Sequence, residues 1–381
     1  MTITLDGTTG VTASAFAGDG SSLTGVPVFA PTTVSGATQA LDVGSFNFFD
    51  AGTLTADTTV SFSNVPTEAR WTYTAVPSTG TSYDLAAGFY LRSLNVAGID
   101  SNPKDIFFKP DGTRLYLLAG TSDKVTEFSL STAWDVSSAV YSRDFSVLSQ
   151  STYGQGIAFK PDGTKMYVQE FFGNIYQYTL STAWDVSTAT YDSVSFSVAA
   201  QFSNVMRIEF SSDGTKMYSV ANDDIIYQYT LSTAWALNTA TYASISKNVS
   251  AEETAMVAIT FKPDGTKMYV LGTTGNDVNQ YTLSTAWDVS TASADSITLP
   301  IGAQESGAQG MFISSDGKRL YVVGDTSDSI LEYVIAEVTT LTLPPAVQNP
   351  PLLSVGLNRA SYTFYTLDGG TTVNLINEEL L

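Results

Sequence analysis

Any chemistry in this chain has to run on carboxylates, Tyr or Lys, because its 381 residues include no His and no Cys. A Ser-His-Asp triad, an imidazole base, a thiol nucleophile, a zinc-thiolate centre and a disulfide framework are excluded together. The carboxylates that remain of interest sit in turns: Glu170, Asp223, Asp224, Glu252 and Glu253. Two of them flanking a glycosidic bond at about 5 to 9 Å would make a glycosidase. No obvious apolar pocket holds one of them to raise its pKa, so an enzyme is not expected. Asn222-Asp223-Asp224, Asn276-Asp277 and Asp325 with Asp328 offer oxygen ligands to calcium. Turn chemistry accounts for Asn and Asp equally well, and no EF-hand or nonapeptide loop is present. No metal and no cofactor is therefore expected.

The balance of 17 basic against 37 acidic residues gives a net charge of -20, which repels phosphate backbones and argues against nucleic acid. Hydrophobic residues make up 43% and charged residues 14%, so the chain is not a disordered acidic polymer. The first basic residue is Arg70, so no secretory signal is read. No apolar run approaches 18 residues, and membrane insertion is not expected. An acidic, Cys-free chain rich in Thr, Ser and Gly suits work outside cells, as on a virus particle.

The elements that position these residues come from a repeat. FKPDGTRLY (108–116), FKPDGTKMY (159–167), FSSDGTKMY (210–218), FKPDGTKMY (261–269) and ISSDGKRLY (313–321) are one motif five times. A second motif runs in phase: LSTAWD at 130–135 and 180–185, LSTAWA at 231–236 and LSTAWD at 283–288. Each unit of about 50 residues reads as four short strands rich in Tyr, Val, Phe, Ile and Thr, the size of a propeller blade. The fifth unit lacks an LSTAW segment and a fourth strand. Phe89–Val96 holds the register of that missing strand, ahead of the first unit. The expectation is an all-β chain with a closed five-bladed β-propeller over residues 88–337, its last blade completed by the N-terminal strand.

Strand order puts the PDG turns and LSTAW connections on one face. Trp134, Trp184, Trp235 and Trp287 are placed identically, which favours packing against a neighbouring blade over sugar stacking. Nine basic residues flank the PDG turns and are expected to pair with Asp135, Asp185 and Asp288. The other face varies from unit to unit, and variable loops on a rigid scaffold are where binding normally sits. Its candidates are Tyr153, Glu170, Phe171, Phe172, Phe202, Asn222, Asp223, Asp224, Asn276 and Asp277. Phe171-Phe172 is an unusual pair for a tight turn and suggests contact with a partner.

The flanks are expected to join. Residues 1–35, rich in Gly, Thr, Ser and Ala, read as an extended anchoring arm. Residues 36–87 and 338–381 each hold alternating runs too short for a core of their own. Both leave the propeller at nearly one place, so they are expected to form one small β-sandwich with the propeller inserted in it.

Here the sequence resembles bacteriophage virion fibres. AFAGDGSSLTGV (15–26) is similar to the GDGS-x-LTG segment near the start of phage and bacterial fibre proteins. QALDVGSFNFFDAGTLTADTTVSFSNVP (39–66) resembles a phage fibre module, and Pro345–Val347 with FYTLDGGTTV (364–373) resembles its later part. The blades resemble the SPDGT-x-x-YV repeats of bacterial and viral propellers. The resemblance implies a virion location, a homotrimer and host attachment. The expected function is a structural fibre protein, anchored to other virion proteins through residues 1–87, whose variable face meets host surface glycan or protein. Alternatives are a capsid decoration protein without receptor and a glycan depolymerase on the propeller.

Overall fold

The computed structural model describes residues 32–33, 38–43, 48–54, 58–65, 67, 69–77, 82–83, 85–202, 204–221, 223–335, 341–342, 347–348, 360–366 and 373–380. The chain divides into two compact units, Thr79–Val338 and Met1–Ser78 with Thr339–Leu381.

The larger unit is a closed five-bladed β-propeller. Each of the first four blades is a four-stranded antiparallel meander, such as Gly154–Phe159, Lys165–Glu170, Asn174–Leu180 and Ala189–Ser197. The innermost strands are Pro103–Phe108, Gly154–Phe159, Val205–Phe210, Met256–Phe261 and Ala308–Ile313, which touch one another around the ring. The last blade takes its outer strand, Phe89–Asn95, from the N-terminal side, where it pairs antiparallel with Ser329–Val334. That pairing satisfies an edge which would otherwise invite other strands. The apolar cores lie between blades. One, for example, joins Tyr116, Leu118 and Val125 to Ile157, Met166 and Val168.

The repeated motifs turn out to be seam chemistry. Each PDG glycine has a positive φ of 68 to 74°, which a side chain rarely adopts. Over four of the five lies a Trp ring; a Cβ on Gly163 would sit 2.4 Å from the Trp184 ring. The Trp backbone has a positive φ too, and its carbonyl accepts from a Tyr of the preceding blade: Tyr116 to Trp184 at 2.7 Å, Tyr167 to Trp235 at 2.6 Å, Tyr218 to Trp287 at 2.7 Å and Tyr321 to Trp134 at 2.5 Å. A second latch accompanies it. Glu127, Gln177, Gln228, Gln280 and Glu332 each accept from a backbone amide of the next blade's short 3-10 turn. The tryptophans are therefore packing residues.

The fifth seam shows what sequence reading missed. Tyr83 takes the place of the absent Trp. Its ring covers Gly317, its carbonyl accepts from Tyr269 at 2.6 Å, and the Leu85 amide donates to Gln280 at 3.3 Å. The closing segment thus supplies a seam loop as well as a strand, and the propeller begins before residue 88.

The basic residues beside the PDG turns do not pair as expected. Lys109, Lys160 and Lys262 hold Asp111, Asp162 and Asp264 of their own turns at 2.6 to 2.8 Å. Arg114 and Arg319 pair with the buried Glu127 and Glu332. Asp135 and Asp185 instead pair with Arg92 and Arg143 of outer strands, and all three LSTAW aspartates cap their 3-10 turns. Asp111, Asp162 and Asp264 also accept from the Thr two residues on. Burial works against ionisation, but the Lys and Thr hydrogen bonds outweigh it and hold each carboxyl down at about 2. A depressed folded pKa stabilises above the unfolded value and is lost as pH falls through the folded one. The side chains are half exposed, so the effect is small per residue. Urea midpoints should therefore fall between pH 4 and 2. The triple variant Asp111→Asn, Asp162→Asn, Asp264→Asn should lose less of its midpoint across that window; parallel curves would contradict this account.

The second unit holds two sheets. In the six-stranded one, Ala69–Pro77 pairs in parallel with Phe48–Leu54 and antiparallel with Ala360–Thr366, which pairs with Val373–Leu380. Thr38–Asp42, Thr58–Ser63 and Leu341–Thr342 form a three-stranded parallel sheet. Both sheets combine strands from before and after the propeller. The Phe62 and Phe364 rings, one from each sheet, meet at 5.6 Å. Of the arm expected over residues 1–35, only Thr32–Thr33 is described, as a short strand; the rest lies outside the described residues.

Candidate functional site

Two places on the propeller combine concavity or exposed aromatics with polar groups. The first is on the variable face. The turn Glu170–Asn174 carries Phe171 and Phe172, and the preceding blade-to-blade loop carries Tyr153. The Phe171 amide donates to the Tyr153 carbonyl at 2.9 Å, which binds turn to loop. The Phe172 ring then meets Tyr153 at 5.7 Å and Phe171 at 5.5 Å, both edge-on. Tyr153 and Phe172 each remain 57% exposed. Seven large hydrophobic residues are exposed among the described residues. Four of them, Ile99, Leu148, Tyr153 and Phe172, lie in loops of the variable face; the other three lie on outermost strands. Among the described residues the PDG face has none, so exposed apolar surface concentrates where the loops vary.

The remaining candidates behave differently. Phe202 is buried and stacks on Tyr227 at 4.5 Å, so it supports the blade rather than meeting a partner. Asp224 is buried as well and accepts from the Met256 amide of the next blade at 3.1 Å. Its role is structural, because it ties this turn to the first strand of the next blade. Glu170 accepts from Asn174 and Tyr176, and Asp223 from Tyr227 and the Ile225 amide. Asp277 accepts from Asn279, and burial raises its pKa with help from Glu253. With its amide turned to donate, Asn276 bridges the Ser306 and Thr273 carbonyls. Asn222 lies outside the described residues. Glu253 is buried and takes the Ala255, Thr274 and Gly275 amides, while Glu252 takes the Tyr281 hydroxyl. These carboxylates organise their loops. Among the described residues no group of three or more acidic side chains gathers as metal ligands would.

The second place is the mouth of the central channel on the PDG face, which sequence reading did not single out. The residue six before each PDG aspartate points into the ring: Asp105, Gly156, Arg207, Ala258 and Gly310. Arg207 and Asp105 reach across the channel and form an ion pair, each 1% exposed. Asp105 also accepts from the Ile106 and Ile157 amides at 2.8 and 2.9 Å. Room for the pair comes from the small residues. A Cβ on Gly310 would stand 2.5 Å from the Asp105 Oδ1, and one on Gly156 would stand 3.1 Å from the Arg207 Cα. Burial lifts the Asp105 carboxyl to about 7, against the pull of Arg207 and the two amides.

One layer nearer the PDG face stand Phe107, Ala158, Glu209, Thr260 and Phe312. They open into a cavity of about 160 Å³, walled further by Phe159, Phe210, Phe261 and two of the tryptophans, with prolines of the PDG turns at its rim. Glu209 is the acidic residue of that wall and keeps 19% of its side chain exposed. Its Oε2 accepts from the Arg207 Nη2 at 3.3 Å. Burial among the rings raises its pKa more than Arg207 lowers it. A carboxyl in an apolar pocket does exist here, but on the face opposite the carboxylates suggested by the sequence.

No protein-family model matches the chain, and no curated protein does. Among solved structures, the chain is similar to a candidate 6-phosphogluconolactonase of Bacteroides uniformis. The two share 12% identity over 73% of this chain and 71% of that one, with a TM-score of 0.38. Among the described residues no helix is long and apolar enough to cross a membrane.

Proposed function

We propose that this chain is a non-catalytic fibre protein of a virus particle whose propeller binds host surface glycan or protein through its variable face. The observation that carries the binding reading is the aromatic trio of Tyr153, Phe171 and Phe172, in which Tyr153 and Phe172 are exposed and Phe171 is half-buried beneath Phe172. Three rings fixed against one another lose little conformational freedom on contact, and aromatic anchors dominate binding energies. The carboxylates around them are engaged in holding loops, which favours display over chemistry. The virion location, the homotrimer and the anchoring through residues 1–87 rest on the fibre resemblance of residues 15–26, 39–66 and 364–373. Repetition of the propeller on one particle would turn weak individual contacts into firm attachment.

Phe171→Ser with Phe172→Ser should lower stability by no more than about 1 to 2 kcal/mol in urea unfolding and leave the fold intact, since Phe172 is exposed and Phe171 half-buried. Binding of the full chain to the bacterial strain it adsorbs to best should weaken by roughly tenfold or more, the usual cost of an aromatic anchor. Unchanged adsorption of the double variant would remove the trio from the binding face.

A further inference from the structure

The mouth of the central channel has an unbalanced charge. Arg207 is one cation facing two carboxylates, Asp105 and Glu209. Asp105 takes the closer share of the guanidinium and is sealed from solvent. Glu209 has the longer guanidinium contact, at 3.3 Å, and a hydrogen bond from the Phe210 amide, and its carboxyl is the one that lines the cavity. The lysines at the rim do not supply the missing charge, because Lys109, Lys160 and Lys262 are each paired with the aspartate of their own turn. A carboxylate in an apolar site with half a counter-ion either takes a proton or takes a cation. The walls decide which cation fits. Besides Glu209 the wall offers only the hydroxyl residues Ser211, Ser212, Thr260 and Ser315, a single carboxylate being too little for a metal cage, whereas the Phe ring faces attract organic cations whose charge is spread over alkyl groups.

We propose that this cavity binds a small organic cation, an alkylammonium or alkylguanidinium group, with Glu209 as its counter-ion and the Phe107 and Phe312 rings as its walls. The volume of about 160 Å³ admits a trimethylammonium group or the end of an Arg or Lys side chain. This site lies on the face opposite Tyr153 and works independently of the host-binding reading.

Calorimetric titration of the full chain with choline and with n-butylguanidinium tests it, and the two probes separate a headgroup-like ligand from a side-chain-like one. At least one should bind with a dissociation constant on the order of 1 mM, as expected for so few atoms. The neutral isostere 3,3-dimethylbutan-1-ol, titrated into the same wild-type protein, should bind roughly tenfold more weakly or not at all. Glu209→Gln keeps the Arg207–Asp105 pair and should lose roughly tenfold in cation affinity, while Glu170→Gln on the other face should lose nothing. The proposal is overturned if neither cation binds, if the neutral isostere binds as tightly, or if Glu209→Gln binds as wild type.

Discussion

Tyr83→Ala is expected to destabilise the propeller by about 3 kcal/mol, whereas Tyr83→Trp should cost under about 1.5 kcal/mol. Tyr83 is 7% exposed, its ring covers the Gly317 turn, and its hydroxyl donates to the Ser315 carbonyl at 2.6 Å. Alanine would remove the ring and leave a void where the ring of blades closes. Tryptophan stands at the four equivalent seams with the same positive φ of 64 to 68°, against 62° at Tyr83, so the backbone there already suits it. The loss should also be cooperative, because the same segment continues into Phe89–Asn95, which covers the edge of Ser329–Val334. Denaturant unfolding of the three full-length proteins checks this. A Tyr83→Ala protein as stable as wild type would mean that the borrowed strand alone closes the ring.

The second large effect concerns the channel. At pH 8 Arg207→Met should cost about 3 to 5 kcal/mol, because Asp105 must then either stand as a buried carboxylate without its counter-ion or take up a proton against the solution pH. The companion double variant, Asp105→Ala with Arg207→Met, should recover most of that loss, since replacing a whole buried pair is often neutral. The sign with pH is fixed by the same argument. Without Arg207 the folded Asp105 holds its proton still more tightly than in wild type, and a folded pKa above the unfolded one favours the folded state at low pH. The penalty of Arg207→Met should therefore be larger at pH 8 than at pH 5. A pH-independent loss, or a double variant no better than the single one, would show that Arg207 acts by packing alone.

These two sites mark the boundary of what the sequence reveals. The PDG and LSTAW motifs recur in phase, so blade number, strand order and the division into two faces follow from spacing. The borrowed strand follows too, because Phe89–Val96 sits in register with the outer strands. Tyr83 escapes because Tyr83-Asp84-Leu85 keeps the Trp-Asp-Val pattern with Tyr in place of Trp, while the Thr79-Gly80-Thr81-Ser82 before it does not repeat Leu-Ser-Thr-Ala. The Asp105–Arg207 pair joins the first blade to the third, a contact between residues about a hundred apart. Aligning the repeats does display the signal: a position otherwise Gly or Ala holds one acid and one base. Glu209 is visible in the same way, two residues further on. Phe202 misleads for the opposite reason, since an aromatic in a loop reads as exposed until the neighbouring Tyr227 is placed beside it.

The central claim, that the variable face is the one that meets a surface, is tested most directly by hydroxyl-radical footprinting. The full chain would be labelled free and while adsorbed to cells that bind it. Tyr153, Phe171, Phe172 and Leu148 should become protected on adsorption, while Tyr90 and Tyr141, exposed on outer strands, should label as before. Protection of Tyr90 and Tyr141 with Tyr153 and Phe172 still fully reactive would place the contact on the rim of the propeller and contradict the account.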